Sequence, residues 1–230
     1  METIFLDNIS KSYQDRGSRV PALSGVSLGI QKGEFAVLAG PSGSGKTTLL
    51  NLIGTLDQPD SGQVYLDGQE VSRLSQNALA EIRLEKIGFI FQSSNLMQVL
   101  TAQENIEFVM LLQGVGAEIR NEKSLAILKA IGLEELAGRK ISKMSGGQSQ
   151  RIAVARAVVS EPQLILADEP TAQLDSRTGE QLIDLMESFN RSKQITFLIA
   201  SHDPMVINRA GRVIRIRDGR IIEDRAQDMG

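Results

Sequence analysis

The amino-acid sequence predicts an α/β fold around a sheet that contains buried parallel strands. Short apolar runs at 35–39, 164–167 and 195–200 are typical of strands that are covered on both faces. A glycine-rich loop and then a helical pattern follow the first run, which is the order of a strand–loop–helix unit. Between 101 and 160 helical spacing replaces the strand pattern, so a helical segment is predicted to interrupt the sheet-forming chain.

The N-terminal part of the chain has the pattern of strands. Apolar residues are spaced or alternate at 4–9, 26–30 and 64–66, which predicts three strands. The sequence Pro-Asp-Ser-Gly at 59–62 predicts a turn, and the apolar run at 87–91 predicts a further buried strand.

Helical spacing recurs in several separate segments. It predicts helices at 47–56, 104–112, 122–131, 147–159 and 178–190. Near the C-terminus, predicted strands at 213–217 and 220–223 flank Asp218-Gly219, which is a typical two-residue hairpin turn. The final residues, 227–230, are expected to be loosely held.

The composition narrows the classes of function. The formal net charge of −3 argues against broad electrostatic binding of DNA or RNA, so no nucleic-acid partner is expected. The absence of cysteine excludes disulfides, zinc ribbons and thiol catalysis. The segment from Met1 to Ile4 has no basic stretch followed by an apolar one, so no signal peptide is expected. No apolar run approaches the roughly 18 residues that are needed to span a bilayer.

A phosphate-binding loop is predicted directly after the first buried strand. The motif G-x-x-x-x-G-K-[ST] is fitted by Gly40, Pro41, Ser42, Gly43, Ser44, Gly45, Lys46 and Thr47. Its glycines let backbone N–H groups converge on phosphate oxygens, and the following helix N-terminus adds partial positive charge. The alternative is a glycine-rich turn that binds nothing.

The last residues of this loop are predicted to contact a nucleotide and its metal ion. Lys46 should reach the β- and γ-phosphates, and the Thr47 hydroxyl should ligate Mg²⁺. Thr48, the next residue, is also expected at the nucleotide.

Asp168 and Glu169 follow the apolar run at 164–167. Ligands of open α/β sheets bind at this carboxyl end of the strands. Asp168 is predicted to hold Mg²⁺, directly or through another ligand, and Glu169 to act as general base or to position the water that attacks the γ-phosphate. An isolated Asp-Glu pair is more often a solvated strand end, but the upstream phosphate loop favours the catalytic interpretation.

His202 is the only histidine of the chain, and it follows the apolar run at 195–200. A neutral imidazole at this strand end can donate a hydrogen bond to the γ-phosphate or to the attacking water. The alternative is a histidine with a purely structural role.

The sequence Ser145-Gly146-Gly147-Gln148 begins another predicted helix. In series with the motifs above, it resembles the signature of the ATP-binding cassette (ABC) family, and the resemblance covers nearly the whole chain. It implies the fold of an ABC cassette of the P-loop NTPase class. Such a fold has a mixed α/β core, an antiparallel β subdomain and an inserted α-helical subdomain.

The resemblance also implies roles for single residues. Tyr13 resembles the aromatic residue that stacks on adenine. Gln92 resembles the glutamine that contacts Mg²⁺ or water and senses the membrane partner. Asp175 is similar to the aspartate of the D-loop at the contact between two cassettes, and His202 is similar to the switch histidine.

ATP and Mg²⁺ are the cofactors that the resemblance implies, and a homodimer is the implied assembly. In that family the signature of one copy covers the γ-phosphate that the other copy holds. Ser145 and the amides of Gly146 and Gly147 would form an anion-binding helix N-terminus. ATP would then close the dimer and hydrolysis would open it.

A narrower resemblance joins the phrases at 56–62, 87–92 and 100–105 to the lipoprotein-releasing and macrolide-export cassettes. The cell-division cassette is a further relative. These cassettes pair with membrane permease subunits that have few transmembrane helices and a large extracytoplasmic domain. The resemblance implies an ATPase at the cytoplasmic side of the inner membrane that drives export, lipoprotein release or mechanotransmission. The alternative is a nucleotide-gated scaffold of the cell-division type with little transport.

The same resemblance suggests how the chain is divided. Residues 1–92 and 161–230 are predicted to form the core with the antiparallel strands, and about 93–160 the helical subdomain with the signature. Within the insertion, the apolar Met97 and Leu100 belong either to the subdomain core or to a groove for a helix of the membrane subunit. Ala172-Gln173 departs from the usual Gly-Asn before the D-loop aspartate.

Overall fold

The computed structural model describes residues 2–15 and 17–227. This part of the chain contains two β-sheets and seven α-helices. The strands are β1 (Glu2–Asp15), β2 (Ser18–Gln31), β3 (Phe35–Ala39), β4 (Ser61–Leu66), β5 (Gln69–Glu70), β6 (Ile87–Ile90), β7 (Leu164–Asp168), β8 (Thr196–Ser201), β9 (Arg212–Arg217) and β10 (Arg220–Ala226). The helices are α1 (Lys46–Ile53), α2 (Gln76–Lys86), α3 (Ala102–Leu112), α4 (Ala117–Ala130), α5 (Gly146–Val158), α6 (Ser176–Lys193) and α7 (Pro204–Asn208).

The larger sheet has the strand order β10-β9-β3-β8-β7-β6. Strands β9, β3, β8, β7 and β6 run parallel, and β10 is added by an antiparallel hairpin. All five residues of β3 are buried, and successive side chains enter two different cores. This is why the parallel strands appear in the sequence as continuous apolar runs.

Each face of this sheet is covered by a separate hydrophobic core. Helices α3 to α7 cover one face, where Ile106, Ile152 and Met186 are buried with Val37 of β3. Helix α1 and the second sheet, of order β2-β1-β4-β5, cover the other face, where Leu38 of β3 is buried. The chain thus forms a mixed α/β core with an antiparallel sheet on one side and an inserted set of helices on the other.

Most of the predicted elements are confirmed. Helices α3, α4 and α5 lie in the segment where helical spacing prevailed, and β7 and β8 match two of the buried runs. Asp218 and Gly219 have φ values of 48° and 72°, and a positive φ at both positions is what a type I′ hairpin turn requires.

The predicted turn at 59–62 is wrong in its second half, because Ser61 and Gly62 belong to β4. The pairing of β1 with β4 shifts register between Asp7 and Ser10, opposite this point. Gly62 has a φ of 87°, and a Cβ on it would lie 2.4 Å from the carbonyl oxygen of Asn8. The glycine therefore marks an irregular strand start rather than a turn.

Other boundaries also differ from the prediction. Helix α1 ends at Ile53 and not at Leu56, because Thr55 has a left-handed φ of 55°. The N–H groups of Thr55 and Leu56 then donate to the Leu52 and Asn51 carbonyls, which closes the helix. Helix α2 was not predicted, since only Leu79 and Ile82 of its residues are buried. The short elements β5 and α7 were not predicted either.

Two sequence predictions concern residues outside the described part. The expected loose segment 227–230 is described only at Gln227, whose N–H donates to the Gly211 carbonyl at 2.8 Å. Met1 of the N-terminal segment is also outside it. In the described residues, no helix combines the length and the apolar character needed to cross a bilayer.

Candidate functional site

The predicted catalytic motifs meet at one edge of the larger sheet. Strands β3, β8, β7 and β6 are parallel neighbours, so their carboxyl ends point the same way. The phosphate loop follows β3, His202 follows β8 and Gln92 follows β6. Asp168 is the last residue of β7, and Glu169 comes directly after it. Segments that are distant in the sequence are therefore brought together by strand order.

The phosphate loop has a backbone that only glycine adopts readily. Gly43 and Gly45 have φ values of 78° and 105°, in the left-handed region. Gly45 is also the N-cap of α1 and provides no side chain to satisfy the first N–H groups of the helix. A helix start of this kind leaves backbone donors for an anion.

Lys46 holds its ammonium group inside the loop. Its Nζ donates to the carbonyl oxygens of Gly40 at 2.7 Å and Pro41 at 3.2 Å. It also lies 3.4 Å from Oε1 of Glu169, and its side chain is only 7% exposed. The positive charge is therefore already placed between the loop and the catalytic candidate on β7.

Asp168 has one satisfied and one unsatisfied carboxylate oxygen. Its Oδ2 accepts a hydrogen bond from the Thr47 hydroxyl at 2.9 Å, whereas its buried Oδ1 has no partner in the described part of the chain. Burial raises the pKa of Asp168, and the negative charge of Glu169 raises it further against the opposing effects of Thr47 and Lys46. A cation beside Oδ1 would relieve this unfavourable environment.

Glu169 lies in a strained but well-supported conformation. Its φ of 47° is in the left-handed region, which is unfavourable for a residue with a Cβ. Its N–H donates to the Ala200 carbonyl at 2.9 Å, which fixes the backbone against β8. Its carboxylate lies 2.9 Å from Nδ1 of His202 and accepts a hydrogen bond from the Ser201 hydroxyl at 3.4 Å.

A cavity of about 300 Å³ joins the phosphate loop to the strand ends. It is lined by Ala22, Ser42, Gly43, Gly45, Lys46, Thr47, Thr48, Gln92, Asp168 and Glu169. The structure therefore brings Gln92 to the same space as the predicted phosphate and metal ligands. Ser44, by contrast, is buried and its hydroxyl has no partner among the described residues.

The segment after Gln92 is held by helix α5. Ser94 and Asn95 have φ values of 56° and 47°, and their carbonyl oxygens accept hydrogen bonds from the Arg156 guanidinium at 3.1 and 2.7 Å. The Gln150 side chain of the same helix donates to the Phe91 carbonyl at 3.0 Å. Two side chains of α5 thus clamp the loop that carries Gln92.

The signature residues lie at a second, separate cavity. Ser145 caps α5 by accepting a hydrogen bond from the N–H of Gln148, and the Gln148 side chain accepts one from the N–H of Ser145. This cavity, of about 470 Å³, is also lined by Gly146, Gly147 and Asp175 and shares no residue with the phosphate cavity. The signature and the phosphate loop of one chain therefore line different cavities.

Asp175 and Tyr13 make contacts that their sequence positions did not show. Asp175 is the N-cap of α6, and hydrogen bonds led by that from the Thr178 hydroxyl lower its pKa. Tyr13 lies on β1, where its hydroxyl donates to Oδ2 of Asp57 at 2.8 Å. Tyr13 is not among the residues that line the phosphate cavity.

Comparison with known proteins identifies the family. The model of the ABC transporter family matches residues 23–172. The chain belongs to the ABC transporter family. The matched region includes the phosphate loop, the Asp168-Glu169 pair and the signature, and it ends before Asp175 and His202.

The cassette is similar in sequence to other ABC transporter proteins. An uncharacterised ABC transporter ATP-binding protein of Bacillus subtilis strain 168, YvrO, is 44% identical over 224 residues, which is 97% of each chain. The macrolide export ATP-binding/permease protein MacB of Hyphomonas neptunium is 45% identical over 96% of this cassette, which spans only 34% of that longer protein. The resemblance to the macrolide-export group is thus confirmed.

Solved structures confirm the fold of the cassette. The ATP-binding cassette MJ0796 of Methanocaldococcus jannaschii, solved as a dimeric post-hydrolysis state bound to ADP and Pi, superimposes with a TM-score of 0.90. The two chains are 40% identical, and the match covers 97% of this cassette and 98% of MJ0796.

Sequence reasoning missed the residues that support the site. Arg156 and Gln150 contact a loop, and Asp57 contacts strand β1, at residues that are far away in the sequence. Asp57 lay within a phrase shared with related cassettes, which was the one available signal. The roles of the predicted site residues remain predictions, and the geometry above is the basis for the proposals that follow.

Proposed function

We propose that this cassette hydrolyses ATP and that a dimer of cassettes uses the cycle to drive a membrane partner. The observation that carries the proposal is the cluster around the Glu169 carboxylate. Oε1 lies 2.9 Å from the imidazole of His202 and 3.4 Å from the ammonium of Lys46, at the mouth of the phosphate loop. A carboxylate, an imidazole and a cation in this arrangement suit the transfer of a phosphoryl group to water.

The phosphate loop binds the triphosphate in this proposal. The backbone N–H groups from Gly43 to Thr48 and the start of α1 surround the β- and γ-phosphates. Lys46 exchanges its bonds with the Gly40 and Pro41 carbonyls for stronger charge-assisted bonds with phosphate oxygens. Tyr13 stacks on the adenine.

The residues present fit a bound Mg²⁺. Asp168 offers a buried oxygen without a partner, and the Thr47 hydroxyl lies beside the same carboxylate. Gln92 lines the cavity and can add an amide oxygen. Oxygen donors of this kind suit Mg²⁺, which usually takes one or two protein groups together with substrate phosphates. When bound, the ion neutralises charge on the β- and γ-phosphate oxygens.

Glu169 activates the attacking water. Its backbone bond to Ala200 and its side-chain contact with His202 keep the carboxylate at the end of β7, so little reorganisation is needed when the water binds. His202 then turns its single N–H from Glu169 to the γ-phosphate or to the water. Gln92, whose loop is clamped by α5, reports the state of the γ-phosphate to the helical insertion.

Two cassettes assemble head to tail around ATP. The signature cavity and the phosphate cavity of one chain share no lining residue, which supports a signature that acts on the nucleotide of a second copy. Ser145, Gly146 and Gly147 contribute a helix N-terminus to the γ-phosphate, and Asp175 lies beside them. The related MJ0796 cassette was solved as a dimer, which supports this arrangement.

The partner is a membrane permease of the macrolide-export or lipoprotein-release type, with the cassette at the cytoplasmic side of the membrane. The likeness to MacB, which joins an ATP-binding part to a permease, supports this assignment. The core at 1–92 and 161–230 binds the nucleotide and about 93–160 forms the helical subdomain. Met97 and Leu100 are half-buried and Val99 is 75% exposed, so this segment offers an apolar contact to a coupling helix.

The Glu169→Gln variant tests the chemical step. It keeps the size of the side chain but removes the base, so hydrolysis should fall by about 100-fold or more while ATP still binds. The measurement is phosphate release at saturating ATP, with nucleotide affinity by calorimetry. Wild-type turnover in this variant would remove Glu169 from the proposed role.

The Lys46→Ala variant tests the phosphate loop. Loss of the ammonium should weaken ATP binding by about tenfold or more, because a charge-assisted contact with the phosphates disappears. Calorimetry with ATP measures the effect, and Lys129→Ala on the far side of α4 is the matched control. An unchanged affinity would contradict the assignment of the loop.

A further inference from the structure

The loop after α1 contains two acidic residues, Asp57 and Asp60, that the proposed mechanism does not use. It holds strand β1 at four successive residues, from Ser10 to Tyr13. The N–H of Asp60 donates to the Ser10 carbonyl at 2.9 Å, and Oδ2 of Asp60 accepts from the N–H of Ser12 at 2.9 Å. Asp57 contacts the side chains on either side of Ser12.

We propose that Asp57 is a positioning residue that fixes the Tyr13 ring as the platform for the nucleotide base. This inference rests on the proposed binding of ATP, and it assigns a role to a residue outside the phosphate and signature cavities. It follows from three features: the fixed hydroxyl of Tyr13, the cation over its ring and the connection of both to α1.

The Tyr13 hydroxyl is held at a fixed point. It donates to Oδ2 of Asp57 at 2.8 Å, and the Thr48 side chain in the first turn of α1 is a further neighbour. The side chain of Tyr13 remains 41% exposed despite these contacts. A ring that is exposed but cannot swing is suited to receive a flat ligand with little loss of entropy.

Asp57 is fixed in turn by Lys11. Oδ1 of Asp57 accepts hydrogen bonds from Nζ of Lys11 at 2.6 Å and from the N–H of Gln58 at 2.7 Å. Lys11 also donates to the Gln58 carbonyl at 2.6 Å and its side chain is only 12% exposed. Both oxygens of Asp57 are therefore used to hold its neighbours.

The same lysine covers one side of the aromatic ring. Nζ of Lys11 lies over the Tyr13 ring, 5.3 Å from its centroid, at the range of a cation–π contact. One face is thus taken by a cation, and the opposite face remains for a π-system such as a nucleobase. Stacking accepts any base, so the platform should distinguish a nucleotide from a bare polyphosphate rather than one base from another.

Helix α1 sets the distance between the platform and the phosphate loop. The helix starts at Lys46 and ends at Ile53, so it spans about 12 Å at the usual rise per residue. The phosphate loop stands at its N-terminus, and the Asp57 loop follows its C-terminus. A rigid element therefore links the two binding parts, and loss of Asp57 should disturb the base contact without disturbing the phosphate contact.

The test compares two ligands by calorimetry in the presence of Mg²⁺: ATP and inorganic tripolyphosphate, which has no base. In Asp57→Ala and in Tyr13→Phe, ATP affinity should fall about fivefold, which is the fold-change of one lost positioning hydrogen bond. Tripolyphosphate affinity should stay at the wild-type value in both. The double variant should lose no more than either single variant, because both remove the same contact.

Kinetics and controls complete the test. The KM for ATP should rise in the Asp57→Ala variant while kcat at saturating ATP stays within about twofold, because the reacting groups are untouched. Asp7 has an exposed carboxylate on the same strand, so Asp7→Ala is the matched control. It should change the affinity for neither ATP nor tripolyphosphate.

Two outcomes would overturn the inference, and a third would refute the nucleotide site on which it rests. An equal loss of ATP and tripolyphosphate affinity in both variants would overturn it, because a platform for the base does not act on a ligand without a base. Unchanged ATP affinity in both variants would remove Asp57 from the proposed role. Failure of the wild-type protein to bind either ligand would instead refute the proposed nucleotide site itself.

Discussion

Asp168 is a residue whose environment favours binding of a metal over stability of the empty protein. Burial raises its pKa, and Glu169 beside it adds to the effect. Because the folded pKa lies above the unfolded value near 3.8, the folded state holds this proton more tightly. The stabilising contribution of Asp168 is therefore fully present at low pH and is lost as the pH rises through the raised pKa.

The Asp168→Asn variant should remove this dependence. Without Mg²⁺ and nucleotide, the variant should gain stability relative to wild type as the pH rises from about 4 to neutral, because the amide never ionises. Its free energy of unfolding minus that of wild type should therefore be larger at neutral pH than near pH 4. ATP hydrolysis should fall by about 100-fold or more, since the oxygen proposed for the metal is changed. Denaturant unfolding across this pH range measures the first effect, and a difference that does not vary with pH would contradict it.

Glu169 shows the same conflict in its backbone. Its left-handed φ of 47° is unfavourable by about 1–3 kcal/mol for a residue of this type. The bond from its N–H to Ala200 and the contact with His202 hold it there. Strain at this position places the carboxylate where the strand ends, beside the proposed γ-phosphate.

At the scale of elements, the contact between α5 and the Gln92 loop connects two functional regions. Helix α5 begins at the signature, and its Arg156 donates to the carbonyls of Ser94 and Asn95. Burial lowers the pKa of Arg156, but its guanidinium remains a strong donor to both carbonyls. Any shift of the helix therefore acts directly on two residues in unfavourable left-handed conformations.

The Arg156→Met variant should uncouple these elements. It keeps an apolar stem but leaves two carbonyls without their donor, which should reduce the free energy of unfolding by about 1–3 kcal/mol. Hydrolysis should also fall, because the Gln92 loop can leave its position. Denaturant unfolding and steady-state hydrolysis measure the two effects, with Arg191→Met, at an exposed position of α6, as the control. Wild-type stability and turnover together would contradict the proposed clamp.

At the scale of the whole molecule, the separation of the phosphate cavity from the signature cavity supports the proposed head-to-tail dimer. The phosphate loop and the signature stand on different elements, α1 and α5, and no residue lines both cavities. In the proposed dimer, each chain would carry one half of two composite sites. Closure around ATP would complete both sites at once, so a dimer can couple its opening to hydrolysis.

The Ser145→Arg variant tests this assembly. A long cationic side chain at the start of α5 should block the approach of a second copy while leaving the phosphate loop of the same chain intact. ATP affinity of the monomer should stay at the wild-type value, and the ATP-dependent dimer should disappear in sedimentation velocity.

The comparison is best made in the Glu169→Gln background, in which slow hydrolysis should trap the dimer. The single Glu169→Gln variant is then the positive control. A dimer that persists after Ser145→Arg is added would show that the signature is not at the interface.

The sequence predicted the local part of this site because local backbone rules produce it. Glycine spacing predicts the phosphate loop, continuous apolar runs predict strands covered on both faces, and Asp218-Gly219 predicts the hairpin. These patterns depend on residues a few positions apart. At 59–62 the same rules predicted a turn, although Ser61 and Gly62 are the start of β4.

Only the tertiary structure decided which of these segments meet. Tyr13 and Asp57, and Arg156 and Asn95, are far apart in the chain, and no spacing rule joins them. The sequence by itself determined the chemistry available at each strand end, since that depends on residue type and local backbone. Strand order and helix packing determined the partners of each group, because they bring together distant residues that share no local pattern.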